Sequence, residues 1–350
     1  MKLITNYLNM KKYVLLLAVA LVAASALFSC SRDDDENEAN WRQGGTPAAN
    51  DPQGGSGGGS QGGDPQGGDP GTGSGGSIGE PIEGCLTQGR FSVANGRQVW
   101  FSKGNLQYQS STGTWRFAEH QYDIIGMGND NISPTNDGWM DLFGWGTSGW
   151  NSGANCYQPY SVSADFTDFY VGGAAYFGLY GEYAQADWGV HNAISNGGNQ
   201  AGQWRTLTKE EWSYVMSGRL ASTVNGVLHA HFVKAVVCDV PGLILFPDVY
   251  SHPTTVPQPV SVNGVSNPFT DNQYNAAQWE DMEKCGCVFL PAAGSHSVNG
   301  TFEVGEYGFY YSVTPFCENG AVTLLFFRDW VNVANLYGRN EGRSVRLVRD

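Results

Sequence analysis

Carboxylate pairs are the first residues of this chain that could carry out chemistry, because glycoside hydrolysis and related reactions need two acidic groups in one site. Asp137 is followed by Asp141, and Glu303 is followed by Glu306 at a similarly short spacing. Neither pair is accompanied by a recognisable nucleophile and base, and such carboxylates more often form a solvated face. The sequence therefore predicts no catalytic residues.

Metal ligation is the second chemistry that the residue types allow. His229 and His231 would lie on one face if their segment is a strand, but no third ligand is recognisable. The oxygen-rich residues 129–131 and 136–138 could hold Ca²⁺, although their spacing departs from that of an EF-hand and favours Asx turns. The sequence predicts no cofactor and leaves a Ca²⁺ ion at this loop open.

The C-terminal segment, residues 307–350, holds the candidates for ligand binding. It mixes rigid aromatic rings with short polar groups and has no clean period, as suits an adaptable contact surface. The candidate ligand-binding residues are Tyr310, Tyr311, Phe316, Asp329, Trp330, Asn332, Asn335, Tyr337, Asn340 and Arg343. The alternative, which the pattern leaves open, is a β-meander whose aromatic residues belong to the core.

Short strands and a few helices must position these side chains. Apolar runs bounded by turn residues predict strands at 98–102, 106–109, 115–117, 232–237, 242–246, 287–290 and 344–348. Capping boxes of Thr208 with Glu211 and of Asn275 with Gln278 predict the starts of two helices. Many short strands and long loops with few helices indicate an α+β fold.

Composition limits the class of protein and the number of domains. The 350 residues carry a formal net charge of −14, which argues against a nucleic-acid partner because phosphate binding needs clustered Lys and Arg. Residues 43–79 are almost entirely Gly, Ser, Gln, Asp and Pro, and they cannot bury a core. We therefore expect a disordered tether at 30–84 and one domain of about 265 residues at 85–350.

The N-terminus has the organisation of an export signal. Lys2, Lys11 and Lys12 precede an apolar run of about 16 residues, which suits a signal-peptide core better than a membrane-spanning helix. The run leads to Cys30 and resembles the lipobox of bacterial lipoproteins, although an ordinary secretory signal is the alternative. The following acidic residues 33–36 resemble the surface-export signal of Bacteroidetes lipoproteins. The resemblance implies a signal peptide at 1–29 and an outer-membrane lipid anchor at Cys30, with the protein facing the cell exterior.

Six further cysteines remain once Cys30 is assigned to lipid. They are Cys85, Cys156, Cys238, Cys285, Cys287 and Cys317. An exported compartment permits disulfides, but the sequence leaves their pairing open.

Several motifs resemble one family. QWRTLT at 203–208, followed by Glu211 and Trp212, resembles the WRLPT-x-x-EW signature of the Bacteroidetes and Fibrobacter major paralogous domains. Further segments that fit are LFGWGTSGW at 142–150, CYQPYS at 156–161, ADWGVHNAISNGG at 186–198, VFLPAAG at 288–294 and the closing SVRLV. The resemblance covers about residues 86–350. That group is similar to the formylglycine-generating, sulfatase-modifying family, which implies a C-type-lectin-like fold.

The same resemblance bears on enzymatic activity. The oxidation chemistry of the sulfatase-modifying family uses a close pair of late cysteines as copper thiolates. Here Cys317 is the single cysteine of the last 60 residues. The resemblance therefore implies a relative that is not an enzyme.

The C-terminal segment also resembles the variable region of retroelement-diversified proteins, which use the same fold and in which template adenines are mutated. The framework positions would be Gly308, Val331, Arg339, Gly342 and 344–349. The candidate ligand-binding residues other than Trp330, together with Leu336, would be diversified. Trp330 and Glu341 depart from the pattern, because neither arises from an AAC codon by changing its two adenines. Either those template codons differ, or the gene is an undiversified paralog.

Together these features predict a surface lipoprotein whose C-terminal domain binds an extracellular protein or glycan without catalysis. Outer-membrane lipid would be its second partner, through acylated Cys30. Two alternatives stay open, namely an exported enzyme acting on glycans or sulfatases, and a structural or fimbria-like surface subunit.

Overall fold

The structure, a computed structural model, describes residues 83–86 and 88–350, except for the side chain of Ala334. The predicted signal peptide, Cys30 and nearly all of the predicted tether lie outside the described residues. Within them, the prediction of a mixed α+β fold with few helices and many short strands is confirmed. None of the described helices is long and apolar enough to span a membrane.

The described residues form fifteen strands and three short α-helices. The strands are β1 (Phe91–Ala94), β2 (Arg97–Phe101), β3 (Leu106–Gln109), β4 (Thr114–Phe117), β5 (Trp139–Met140), β6 (Phe232–Val237), β7 (Val240–Leu245), β8 (Gln273–Tyr274), β9 (Val288–Pro291), β10 (Ser295–Ser297), β11 (Gly300–Phe302), β12 (Gly308–Cys317), β13 (Gly320–Phe327), β14 (Trp330–Gly338) and β15 (Val348–Arg349). The helices are α1 (Trp188–His191), α2 (Lys209–Ser213) and α3 (Ala276–Lys284). The strands pair in the sheets β1-β2-β15, β4-β3-β5, β8-β6-β7-β9, β10-β11 and β12-β13-β14.

Both predicted capping boxes are present. The Thr208 side chain accepts from the backbone N–H of Glu211, and the Glu211 carboxylate accepts from that of Thr208, so two orphan donors at the start of α2 are satisfied. Asn275 and Gln278 do the same for α3. Each helix then buries one large ring, Trp212 in α2 and Trp279 in α3, which fixes it on the core.

The predicted closing strand is wrong in its extent, because only Val348 and Arg349 form a regular strand there. The preceding residues run through the middle of the molecule, where their backbone groups bond to several different segments. The bonded pairs are Gly342 with His296, Arg343 with Phe143, Ser344 with Phe309 and Tyr311, Val345 with Leu106, and Leu347 with Ser102. A sequence pattern cannot show that one strand-like run is divided among so many partners.

The sheet β12-β13-β14 lies between two parts of the hydrophobic core. Tyr310, Leu324 and Phe326 pack into the cluster that also holds Trp212. Tyr311 and Ala321 pack into a second cluster, which is built around several buried tryptophans. The C-terminal segment is therefore anchored to the domain on both of its faces, and only part of it reaches the solvent.

Candidate functional site

Two tight turns build the candidate site. Strand β12 pairs with β13 down to Cys317 opposite Gly320, and β13 pairs with β14 from Phe327 opposite Trp330. Residues opposite one another in an antiparallel pair point to the same face. One face therefore carries Tyr310 and Leu324 into the core. The other face carries the row Phe309, Leu325 and Asn332 and, at its turn end, Phe327 with Trp330.

Tyr310 and Tyr311 are corrections to the predicted ligand-binding set, because both side chains are fully buried. The Tyr310 hydroxyl donates to the carbonyl oxygen of Pro291 at 3.0 Å and accepts from Asn105. The Tyr311 hydroxyl lies 3.0 Å from the carbonyl oxygen of Gly338, so it ties β12 to the end of β14. Burial raises the pKa of both phenols above its ordinary value. These residues hold the sheet together and do not contact a ligand at the surface.

Arg343 is the third correction, since its side chain is only 2 % exposed. Its guanidinium carbon lies 3.7 Å from the centre of the Phe309 ring and 4.6 Å from that of Tyr337, and it pairs with Glu341. Within the described residues its Nε and Nη1 donate no hydrogen bond, so the two ring faces are their neighbours. Burial lowers the pKa of Arg343 from its ordinary value. Its role is to support the rings above it.

Five rings lie together at this part of the sheet, and we call them the aromatic face: Tyr307, Phe309, Phe327, Trp330 and Tyr337. Phe309 is buried at its base, whereas the other four reach the solvent at least in part. Tyr307 stacks on Phe327 with ring centres 4.7 Å apart, and on Phe309 at 5.7 Å. Phe309 meets Tyr337 edge to face at 4.9 Å. Trp330, opposite Phe327, is 47 % exposed and is the most accessible of the five. Tyr307, Phe309, Phe327 and Tyr337 contact one another, so the accessible parts of these rings are held in place before a partner binds.

Polar groups lie along the same surface. Asn332 and Asn335 are half-buried in β14, and the Asn335 amide donates to the carbonyl oxygen of Asn332. Asp329, in the turn before Trp330, is exposed and lies 3.9 Å from the guanidinium of Arg328. Burial raises the pKa of Glu303, against the opposing charge of Arg343. The aromatic face thus has amides and carboxylates within reach, which suits hydrogen bonding to a polar partner.

Phe316 and Asn340 do not join the other candidates. Phe316 is exposed at the end of β12 beside the β12–β13 turn, whereas Trp330 lies at the opposite end of β13. Eight residues of extended strand separate the two ends by roughly 20 Å. The Asn340 amide donates to the carbonyl oxygens of Ser163 and Ala164, so it secures a loop. The predicted set is therefore reduced to Asp329, Trp330, Asn332, Asn335 and Tyr337 on one surface.

The sequence prediction missed Tyr307, Phe309 and Phe327 as members of this surface. A signal for one of them was present, because Arg328 and Asp329 alone separate two β-prone runs and so indicate a two-residue hairpin turn. That turn places Phe327 opposite Trp330. No comparable local signal joins Tyr307 and Phe309 to Tyr337, since their contact crosses the sheet.

A cleft of about 330 Å³ lies beside the same C-terminal segment. It is lined by Asp130, Ile132, Val162, His296, Ser297, Val298 and Gly300. The imidazole of His296 lies 3.9 Å from the Asp130 carboxylate, and the His296 backbone pairs with Gly342. Burial lowers the pKa of His296 from its ordinary value.

In the loop where Ca²⁺ was left open, several side-chain oxygen atoms accept hydrogen bonds from the chain itself. The side-chain oxygen of Asn129 accepts from the backbone N–H groups of Asp141 and Leu142. Asp130 accepts from Thr301 at 2.6 Å. In the part of the chain that the structure describes, no group of three or more His, Cys, Asp or Glu side chains converges.

The other predicted chemical groups are also dispersed. Asp141 is buried and accepts from Asn129 and from the Ile125 N–H, whereas Asp137 is exposed, so the two carboxylates occupy unlike environments. His229 and His231 do not lie on a strand, because β6 begins after both of them, so the condition under which they would share a face is not met. His229 has a left-handed backbone with φ of 50°, and His231 is buried against the carbonyl oxygen of Arg219.

Thiol chemistry has little support in the described residues. Cys85, Cys156, Cys238, Cys285 and Cys287 are free thiols. Burial raises the pKa of Cys85 to about 11 and that of Cys287 well above its ordinary value, which keeps both protonated at neutral pH. The Cys317 thiol donates to the side-chain oxygen of Asn319 at 3.0 Å.

Scans against protein-family models, curated proteins and solved structures found no match for this chain. What the site does has to be inferred from its own residues.

Proposed function

We propose that this protein is a surface lipoprotein whose C-terminal domain has a C-type-lectin-like fold and binds an extracellular protein or glycan without catalysis. The aromatic face is the contact surface. Asp329, Asn332 and Asn335 supply hydrogen bonds at its edge. The export signal at 1–29, lipid attachment through Cys30 and the tether at 30–84 would hold this domain outside the outer membrane.

The observation that carries the proposal is a set of half-buried rings, Tyr307, Phe327 and Tyr337, held by contacts with one another or with the buried Phe309, beside the exposed Trp330. They lie on a sheet that is anchored at both faces. Aromatic rings contribute a large share of the energy in protein interfaces, and ring faces also stack on sugars. Here the rings keep their positions because Arg343 fills the space beneath Phe309 and Tyr337. Such a surface loses little side-chain entropy when a partner binds.

The division between buried and accessible positions of the segment agrees with the proposal only in part. The expected framework residues Gly308, Arg339 and Gly342 are buried, but Val331 is half-buried. Of the expected variable set, Asn332, Asn335 and Tyr337 are half-buried, whereas Tyr310, Tyr311 and Arg343 are buried. Changes at the three half-buried positions would alter the contact surface while leaving the core in place.

The test begins with binding of the protein to arrays of extracellular glycans and of cell-surface proteins, followed by affinity measurement on the best partner. We expect the double variant Trp330→Ala with Tyr337→Ala to bind that partner about 10- to 100-fold more weakly, because both rings belong to the contact surface. Tyr176→Ala is the matched control, since Tyr176 is an exposed ring outside the aromatic face. Melting curves that match the wild type together with an unchanged affinity would sink the proposal.

A further inference from the structure

The cleft at His296 is assembled from three separate segments of the chain. Asp130 comes from the 3₁₀ turn Gly126–Asn131, and His296 comes from β10. Val162 lies on a loop that is held by hydrogen bonds from the Asn340 amide to the carbonyl oxygens of Ser163 and Ala164. The turn is held in place by the reciprocal bonds between Asn129 and Asp141. These bonds hold the backbone at Asp130, and the Thr301 N–H orients its partly exposed carboxylate.

The negative charge of Asp130 is not compensated by an ion pair with Lys or Arg among the described residues. Its Oδ1 accepts from the backbone N–H of Thr301, and among the described residues its Oδ2 accepts no hydrogen bond. Gly300, with φ of 105°, passes close to the carboxylate without a side chain that would cover it.

His296 does not neutralise that charge. The 3.9 Å between its Nε2 and the Asp130 Oδ1 is too long for a hydrogen bond. Burial favours the uncharged imidazole over the charged one, and an uncharged ring can accept a hydrogen bond at one nitrogen. Asp130 and His296 together offer two acceptors in one cleft.

The remaining walls are aliphatic. Ile132 is half-buried, and Val162 and Val298 are 37 % and 50 % exposed. Branched side chains that remain this accessible around a carboxylate can cover the hydrocarbon stem of a ligand. The volume of about 330 Å³ lies at the lower end for small-molecule sites, so it suits a single side chain better than an oligosaccharide.

We propose that this cleft binds a primary ammonium group carried on an unbranched aliphatic stem, as in a lysine side chain. The ammonium donates to Asp130 Oδ2 and to the neutral ring of His296. The stem lies against Ile132, Val162 and Val298. The formal net charge of −14 favours the approach of a cation. The inference does not rest on the aromatic face, because none of its five rings lines the cleft.

The experiment uses two capped amino acids of equal stem length, Nα-acetyl-lysine methylamide and Nα-acetyl-norleucine methylamide, which differ in the ammonium group. Each is titrated into the full chain labelled with ¹³C at its six histidines, and the ring signal of His296 is assigned with His296→Gln. We expect the lysine compound to bind saturably with a Kd in the millimolar range, to shift the His296 signal, and to bind at least tenfold more tightly than the norleucine compound.

Asp130→Asn is the informative variant, because its side-chain oxygen can still accept from Thr301 while the charge is removed. Asp130→Asn should raise the Kd of the lysine compound at least tenfold. Asp137→Asn, at an exposed carboxylate outside the cleft, should leave that Kd unchanged. If Asp130→Asn does not fold, Val298→Arg places bulk and a positive charge at the exposed cleft wall and should abolish binding. Any one of four results overturns the proposal. They are equal affinity for the two compounds, an unmoved His296 signal, no saturation up to about 50 mM, and a Kd that a folded cleft variant leaves unchanged.

Discussion

Buried carboxyl groups hold two loops of the domain in place. Asp187 accepts from the backbone N–H groups of Gly189 and Thr206 and from the Thr206 hydroxyl. Burial raises its pKa from 3.8 to about 6, although these hydrogen bonds and Arg205 act in the opposite direction. Burial also raises the pKa of Asp141, which positions the turn beneath the His296 cleft, from 3.8 to about 6.

The raised pKa of Asp187 predicts a definite pH dependence of stability. The native carboxyl holds its proton more tightly than the unfolded one, so its contribution is complete below about pH 4 and is lost as the pH rises through 6. The loss should be on the order of 2–3 kcal/mol. Urea unfolding at several pH values should show the stability difference between wild type and Asp187→Asn falling from pH 4 to pH 7.

Asp137→Asn serves as the control for that measurement, because Asp137 is exposed and its removal should give no such trend. A wild-type minus Asp187→Asn difference that stays constant across the pH range would contradict the prediction.

At the scale of the element, close packing in the β12-β13-β14 sheet requires a glycine at position 308. Gly308 lies directly opposite Phe326, and the Phe326 ring occupies the space that a β-carbon on residue 308 would need. Phe326 is itself fully buried in the core. The ring cannot move away without disturbing the cluster around it.

We therefore expect Gly308→Ala to destabilise the domain by about 1–3 kcal/mol through overpacking. Chemical denaturation measures the effect. Gly338→Ala is a comparison in the same sheet and should cost less, since a β-carbon there meets mainly the side-chain oxygen of Asn340, whose displacement strains only the amide's bonds to Ser163 and Ala164. Equal stability of Gly308→Ala and wild type would show that the ring adjusts without cost.

At the scale of the whole molecule, the proposed binding domain follows a segment that resembles a lipoprotein leader and a glycine-rich stretch that is the proposed tether. An anchor and a spacer would place the aromatic face and the His296 cleft away from the lipid surface. With a linker of this composition, the root-mean-square reach would be roughly 30–35 Å.

The proposed anchor at Cys30 predicts a simple outcome in a host that processes lipoproteins. Cys30→Ala should abolish incorporation of a labelled fatty acid and move the protein from the membrane fraction to the soluble fraction, because the acyl attachment point is removed. Cys156→Ser should leave both readouts unchanged. Labelling that persists in Cys30→Ala would mean that lipid is attached elsewhere or that another segment holds the membrane.

Several features could be predicted from the sequence because their causes are local. The capping boxes at Thr208 and Asn275 depend on residues three positions apart, and the structure contains both. The strand at Phe232–Val237 follows from a β-prone run with the same bounds, in which Lys234 is the one charged residue. The mixed α+β class follows from many such short runs.

The tertiary structure alone decided which residues of the C-terminal segment reach the solvent. Tyr310, Tyr311 and Tyr337 have the same chemistry and lie in the same sheet, yet the first two are buried by Asn105, Pro291 and the tryptophan cluster. Arg343 looks like a surface residue in sequence but is enclosed by Phe309 and Tyr337. A period-two pattern identifies the two faces of a strand. It cannot show which parts of those faces are covered, because the covering groups come from positions far away in the chain.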